Sequence, residues 1–600
     1  MDRSWANSAQ LTTVDPLYLI QHTLTCRGSY RWTENTACFP SKHSKDKQLY
    51  QQTHTAALAH LRKRSPPAVS THNVRSFPSP DCLVRLRHLG ESICKLTSGP
   101  LFPPANYNSV ARSVIAYWTR VAIKKRALVP HRHLPISLRM SKNTSADQLA
   151  AISGPWATTN TPFPVDTGSQ AFILWSAALV FLMTPGLGLY YSGMTRAKNA
   201  LTMIMVCMLA NSVVTIQWVI FGFSLTFSEG SGGFIGNFAH AGLANIGPWA
   251  LPLTAPAVSS TTFVLYQLVF ASITPALIFG SVADRFRILP AMVFIFFWTT
   301  FVYDVVACWT WNVNGWLHNL GGAGNGSYDF AGGGPVHIAS GFGGLAYALV
   351  IGVRYRRTNE EFKPHNLVNV FIGTAMLWFG WMAFNSGSAL AASPRASMAA
   401  LVTTIAGSAG SLTWPLWDYI WSRKMSGLGF CSGAVAGLVA ITPASGFVAP
   451  WAAIIIGGTA GIFCNMTCRI KAAFGFDDSL DAWAVHGCGG ILGGILTGVF
   501  AQRWVIQLDG GIASGGWIDG NWIQMAYQVV GCAVIALWSF FISCIMLIII
   551  HRIPGLHLRI SEDEELLGGD LTQMGEVAYE LVPSSLEALD AEKGHAAATL

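Results

Sequence analysis

Charge is what this sequence lacks. Lys, Arg, Asp and Glu make up 11% of its 600 residues, about half the share usual in soluble domains. With 51% hydrophobic residues and a mean hydropathy of +0.40, an ordinary soluble globule is excluded and a polytopic membrane protein is indicated. Two motifs are missing as well. There is no GxxxxGK followed by Ser or Thr, so the chain encodes no ATP hydrolysis, and no HExxH, so a zinc protease is not expected. No apolar run has Lys or Arg at its centre. Of the twelve Cys, Cys26, Cys38, Cys82 and Cys94 lie near the start and the rest in or beside apolar segments. Those read as small packing residues without disulfides or a metal site.

Charge is also unevenly placed. Residues 1–139 hold 20 of the 38 Lys and Arg but only 6 of the 30 Asp and Glu, a net +14, so the remainder sums to −6. The basic stretch carries no nucleic-acid-binding motif and no apolar signal core. It has the Arg-rich, acid-poor composition of a transit peptide, yet the expectation is that it is not natural coding sequence and that translation starts at Met140. Residues 140–168 then form a polar external tail.

What is there, from 169 to 551, is a series of apolar runs. Eleven are long enough to span a bilayer, at roughly 20 residues each: 169–191, 201–224, 259–281, 288–308, 335–354, 366–386, 396–420, 427–444, 449–468, 484–502 and 522–550. Alternate loops carry the basic residues, among them Arg196, Arg285, Arg354, Arg423, Arg469 and, after the last run, Arg552. The positive-inside rule places these in the cytoplasm, the N-terminus outside and the C-terminus inside. The fold expected is an all-α polytopic membrane protein. Eleven spans suit two inverted five-helix halves plus one extra helix. No clear sequence similarity joins the halves. The tail 552–600 is acidic and cytoplasmic, and by default a solvated charge run.

Ionisable residues inside spans are costly and mark function. Those found are His337 and Asp329 in DFAGGGPVHIASG, and His486, Asp478 and Asp481 in DDSLDAWAVHGCGG. The two histidines fall in spans 5 and 10, the last of each half. Aromatic residues recur on helix faces: Trp381, Phe384 and Ser388 in span 6, Tyr266 and Phe270 in span 3. Trp309, Trp311 and Trp316 follow span 4 in ACWTWNVNGW. Such stripes are commonly plain packing, and a loop Trp is commonly an interfacial anchor.

Taken together, FLMTPGLGLYYSGMTRAKNAL (181–201), YQLVFASITPALIFGSVADR, GWMAFNSGSA, the two histidine segments and GGDLTQMGEVAYE (568–580) resemble the ammonium transporter family (Amt/Mep/Rh). The resemblance runs in order from about Met140 to about 582 and is of the fungal Mep type. It implies an external recruitment site at Trp311, Phe270 and Ser388, with Tyr266 beside it. A pore gate of stacked Phe270 and Phe384 follows, then the pore histidine pair His337 and His486. Trp381 lines the pore, and Asp329 shapes the field near the site without touching substrate. It implies ammonium or methylammonium as substrate, no cofactor and no metal, a homotrimer in the plasma membrane, and a role in nitrogen uptake. Gly569, Asp570, Gly575, Glu576 and Tyr579 match the tail segment that crosses to a neighbouring subunit, where a kinase or signalling partner could act. Two departures are Met574, where many members have His, and the long Gly-rich loop 323–330. Asn143 and Asn325 are external N-glycosylation candidates. The alternatives are an ammonium sensor signalling through its tail and an Rh-like neutral gas channel. An enzyme is not expected.

Overall fold

The computed structural model describes residues 165–355 and 363–579. The expectations for 1–139, Met140, Asn143, most of the 140–168 tail and the end of the acidic tail lie outside the described residues.

Ten helices among the described residues are long and apolar enough to cross a membrane. They are α1 (Thr167–Met194), α2 (Ala197–Phe227), α3 (Ser260–Val282), α4 (Ile288–Trp311), α5 (Gly333–Ile351), α6 (Leu367–Gly387), α7 (Pro394–Ser422), α9 (Pro450–Cys468), α10 (Trp483–Phe500) and α11 (Gln524–Arg552). The run expected at 427–444 is α8, Gly427–Ile441, a helix of 15 residues. At 1.5 Å per residue it is about 22 Å long, short of a hydrocarbon core of about 30 Å. Every residue from Cys431 onward in it is buried, so it needs protein rather than lipid around it.

Local sequence sets the starts. Asp166, Ser259, Asn366, Ser393 and Ser426 each accept a backbone N–H as N-caps of α1, α3, α6, α7 and α8. Pro394 and Pro450 occupy first-turn positions, where the missing N–H costs nothing. Among the described residues, the one sheet is a small antiparallel hairpin between α2 and α3, β1 (Ala250–Leu251) with β2 (Ala255–Ser259).

The most extensive packing is α1 on α6 and α7 on α8 and α9, while α5 lies along α11. Small residues allow it. A Cβ on Gly457 of α9 would collide with the backbone of Ala406 in α7, the close approach that GGTAG suits.

Loops between α3 and α4, α5 and α6, and α9 and α10 meet at the end that the charge bias assigns to the cytoplasm. Arg354 binds Asp477 through Nε and a second nitrogen, both at 2.9 Å. Arg285, wholly buried, donates to the carbonyl of Asp477 at 2.6 Å and to Ser479 at 2.6 Å. Asp284 takes the other side of Arg354 at 3.3 Å.

Candidate transport pore

Asp329 begins the site. Its carboxylate accepts the N–H groups of Gly332 (2.7 Å), Gly333 (2.8 Å) and Gly334 (2.6 Å), capping the wide π turn Gly333–Ile338 that carries His337. Gly332 has φ +112°, and a Cβ there would meet both Val336 and Trp311.

The second half repeats the device. Asp478 accepts the N–H groups of Ala482 (3.1 Å) and Trp483 (2.9 Å) and caps a second π turn, Trp483–Cys488, which carries His486. Each aspartate stands eight residues before its histidine. That spacing is the sequence signal of the internal repeat, and it was missed. Asp481, the other acid near His486, instead pairs with Lys471 at 2.6 Å.

The two turns bring the rings together. A Cβ on Gly341 would strike the backbone of Gly487, so α5 and α10 cross at glycine just beyond the histidines. His337 and His486 face each other with Nδ1 to Nδ1 at 3.2 Å. One nitrogen donates while the other accepts, so the two rings share one hydrogen along this contact. Both are buried, and Nε2 of His337 has no partner.

Aromatic rings stack above the pair. Trp381 lies 5.3 Å from His337 at an interplanar angle of 23°, held by its Nε1 donating to Thr442 at 2.8 Å. Phe384 is 6.3 Å from His337 and stacks on Phe270 at 4.0 Å and 21°. Trp311 meets Phe270 edge-on at 6.1 Å, and its Nε1 donates to the carbonyl of Asp329 at 3.2 Å. Tyr266, 4.9 Å from Phe270, donates to the carbonyl of Phe384 at 2.8 Å. Ser388 donates to the same carbonyl at 2.9 Å, which leaves its oxygen lone pairs to accept.

A narrow cavity of about 20 Å³ continues past the rings, lined by both histidines with Leu187, Ile273, Leu277 and Val435 among others. It has room for about one water. Its walls are almost wholly apolar apart from the histidines and Tyr190 and Tyr191.

Other expected residues lie elsewhere. Asn325 is half-buried and Ser327 of its sequon is tied to Gln528 at 3.1 Å, a poor surface for glycan attachment. The acidic tail, up to residue 579, is docked rather than solvated. Glu565 and Asp570 are each 1% exposed. Asp570 accepts the N–H groups of Leu201 (2.9 Å) and Thr202 (2.7 Å), Gly569 donates to Asn199 at 2.7 Å, and Tyr579 accepts from Asn369 at 3.1 Å. Gly575 has φ +70° and ends the π turn Asp570–Met574, and Glu576 donates its N–H to the carbonyl of Asp570 at 3.3 Å. A further intramembrane acid escaped the sequence reading. Asp304, in α4, is fully buried and accepts from Gln217 at 2.7 Å. It was legible as an Asp inside the apolar run 288–308.

In a helical membrane protein, a small apolar cavity beside stacked rings and two facing histidines suits the passage of a small solute. The model of the Ammonium Transporter Family matches residues 171–579, and the chain belongs to that family. Ammonium transporter 1 of Schizosaccharomyces pombe is 48% identical over 417 residues, covering 69% of this chain and 82% of the relative. Ammonium transporter MEP2 of Saccharomyces cerevisiae is 43% identical over 432 residues, covering 70% and 85%. The crystal structure of Candida albicans Mep2 is similar with a TM-score of 0.64 and 40% identity, over 70% of this chain and 94% of that one. These relatives are transporters by name, and the chain is a multi-pass membrane transporter rather than an enzyme.

Proposed function

We propose that this chain carries ammonium inward across the plasma membrane without ATP, as a homotrimer with one pore in each subunit. The observation that carries the mechanism is the 3.2 Å contact between the imidazoles inside an apolar passage. Ammonium is drawn to the faces of Trp311 and Phe270 by cation–π attraction, and the Ser388 oxygen accepts one N–H. Tyr266 holds the carbonyl side of that site. An ion cannot cross the apolar segment cheaply, whereas neutral ammonia can. Ammonium can surrender a proton and potassium cannot, so a passage for the deprotonated form rejects potassium despite its size. Ammonia passes the Phe270–Phe384 gate and runs beside Trp381, while the proton moves along the histidine pair.

Replacing Trp311 by Leu removes the indole face and is expected to raise the half-saturation for methylammonium about tenfold. Uptake is measured in cells lacking their own transporters, with excess potassium as competitor. An unchanged half-saturation removes the recruitment role.

A second reading has support in the docked tail. Residues 569–579 touch the starts of α2 and α6, and α6 also carries Trp381 and Phe384. That contact suits a sensor signalling through a partner or kinase at the tail. Transport-dead pore variants that still signal establish it, and variants that lose both functions leave transport alone.

A further inference from the structure

α11 stands outside the two five-helix halves, and the pore chemistry uses none of its side chains. Yet one of its faces is not ordinary lipid-facing helix. Gln524, Gln528, Gly531, Cys532 and Ile535 recur at helical spacing and are all buried. Gln528 makes three of its amide bonds to the loop that leads into Asp329. Its Oε1 accepts from Ser327 Oγ (3.1 Å) and from the Tyr328 N–H (2.5 Å). Its Nε2 donates to the carbonyls of Tyr328 (2.9 Å) and Gly494 in α10 (2.8 Å). Two N–H or O–H donors on one side and two carbonyls on the other admit only this orientation of the amide. Gln524 adds a bond to the carbonyl of Gly326 at 2.8 Å and one to Gln528 at 3.2 Å. One turn on, Gly531 makes room: a Cβ there would stand 2.5 Å from Ser327 Oγ.

The chain of contacts continues to the site. Residues 326–328 are fixed by α11, Asp329 follows directly, its carboxylate holds the start of α5, and its carbonyl accepts Trp311 Nε1. A second cavity of about 20 Å³ lies between Gln528, Asp329 and Thr310, so the loop has space to shift if its tether is cut.

We propose that Gln528 is a positioning residue for the external site: it sets the backbone before Asp329 and thereby the place of the Trp311 indole. This rests on the recruitment role given to Trp311 above. A tie that serves only stability lowers surface abundance and maximal rate in any background. A positioning tie acts on half-saturation, and only while the indole is present.

The experiment measures methylammonium uptake, normalised to surface protein, for Gln528→Leu, Trp311→Leu and the double variant of the full chain. Gln528→Leu is expected to raise the half-saturation about tenfold with the maximal rate within about twofold of wild type. In the Trp311→Leu background it adds nothing further. An unchanged half-saturation, or an equal rise in both backgrounds, overturns the proposal. If Trp311→Leu alone leaves half-saturation unchanged, the recruitment reading falls and this inference with it. Should Gln528→Leu fail to reach the surface, Ser327→Ala cuts one outer bond only. It is expected to give about a threefold rise, absent beside Trp311→Leu. No rise overturns the proposal.

Discussion

The double variant His337→Ala, His486→Ala is expected to lose ammonium-evoked current by about a hundredfold or more, the usual cost of removing a positioned proton carrier. The geometry makes a stronger demand. The two Nδ1 atoms are 3.2 Å apart, so in the proposed relay a proton leaving one ring has the other as its receiver. Each single Ala variant is therefore expected to lose nearly as much as the pair. Residues that act as a unit show losses that overlap instead of adding. Selectivity tests the same idea from another side. Removing two rings widens the apolar passage and admits water, so potassium is expected to compete in the double variant and not in wild type. Recording current and methylammonium uptake together, with and without excess potassium, reads both effects. A double variant with wild-type current and no potassium competition sinks the relay, and the rings are then only a shaped wall.

Asp477→Ala is expected to destabilise the protein by about 3–5 kcal/mol, the range for breaking a buried ion pair from one side. Asp477 is 1% exposed and Arg285 is wholly buried. The Asp477 carboxylate binds Arg354 bidentately and also accepts the Arg354 backbone N–H at 2.9 Å. Removal leaves two buried guanidinium groups facing each other across the lost carboxylate. The consequence spreads, because Arg354 also binds Asp284 at 3.3 Å and Asp284 accepts from Asn199 at 2.5 Å, which in turn accepts from Gly569 of the tail. Three loops, the start of α2 and the tail share this node. The pH dependence follows in sign. Burial raises the Asp477 carboxyl, but the hydrogen bonds and charge of Arg354, with the charge of Arg285, outweigh it and hold the group well below the usual carboxylate range. A carboxyl lowered on folding stabilises above its unfolded value of about 4, and that contribution fades only below it. Thermal unfolding in detergent at pH 7 is the measurement. A marked fall in Tm is expected, with Asp477→Asn intermediate because one acceptor remains. A Tm equal to wild type removes the node from the stability of the fold.

Much of the fold was legible in the chain because lipid makes a simple demand. Each backbone group must be bonded within its own helix, so spans announce themselves as apolar runs of fixed length. The run at 427–444 forms a helix shorter than the run itself. Its small buried residues make it as apolar as a lipid-facing helix, and only packing shows that it is a short interior one. The candidate site residues were marked through their resemblance to a family and through the cost of a titratable ring in a membrane. Asp478 and Asp481 were both noted near His486, but only Asp478 caps the turn, while Asp481 pairs with Lys471. A local reading counts neighbours in sequence, and hydrogen bonds choose among them by geometry. Asp304 was overlooked where a single acid was outweighed by the apolar residues around it.

The sequence by itself determined that this is a multi-pass helical membrane protein and which apolar runs are long enough to be candidate spans. It also marked two histidines and a few aromatic residues as unlike the packing around them. Those conclusions depend on composition and spacing along one chain. The tertiary structure decided that the rings form a single column, that the imidazoles touch, that the acidic tail is docked, and that α11 grips the loop before Asp329. Each of these contacts joins residues from different segments of the chain, up to 370 positions apart. Distances of that kind are set by how helices pack at their glycines, and no local period in the sequence encodes them.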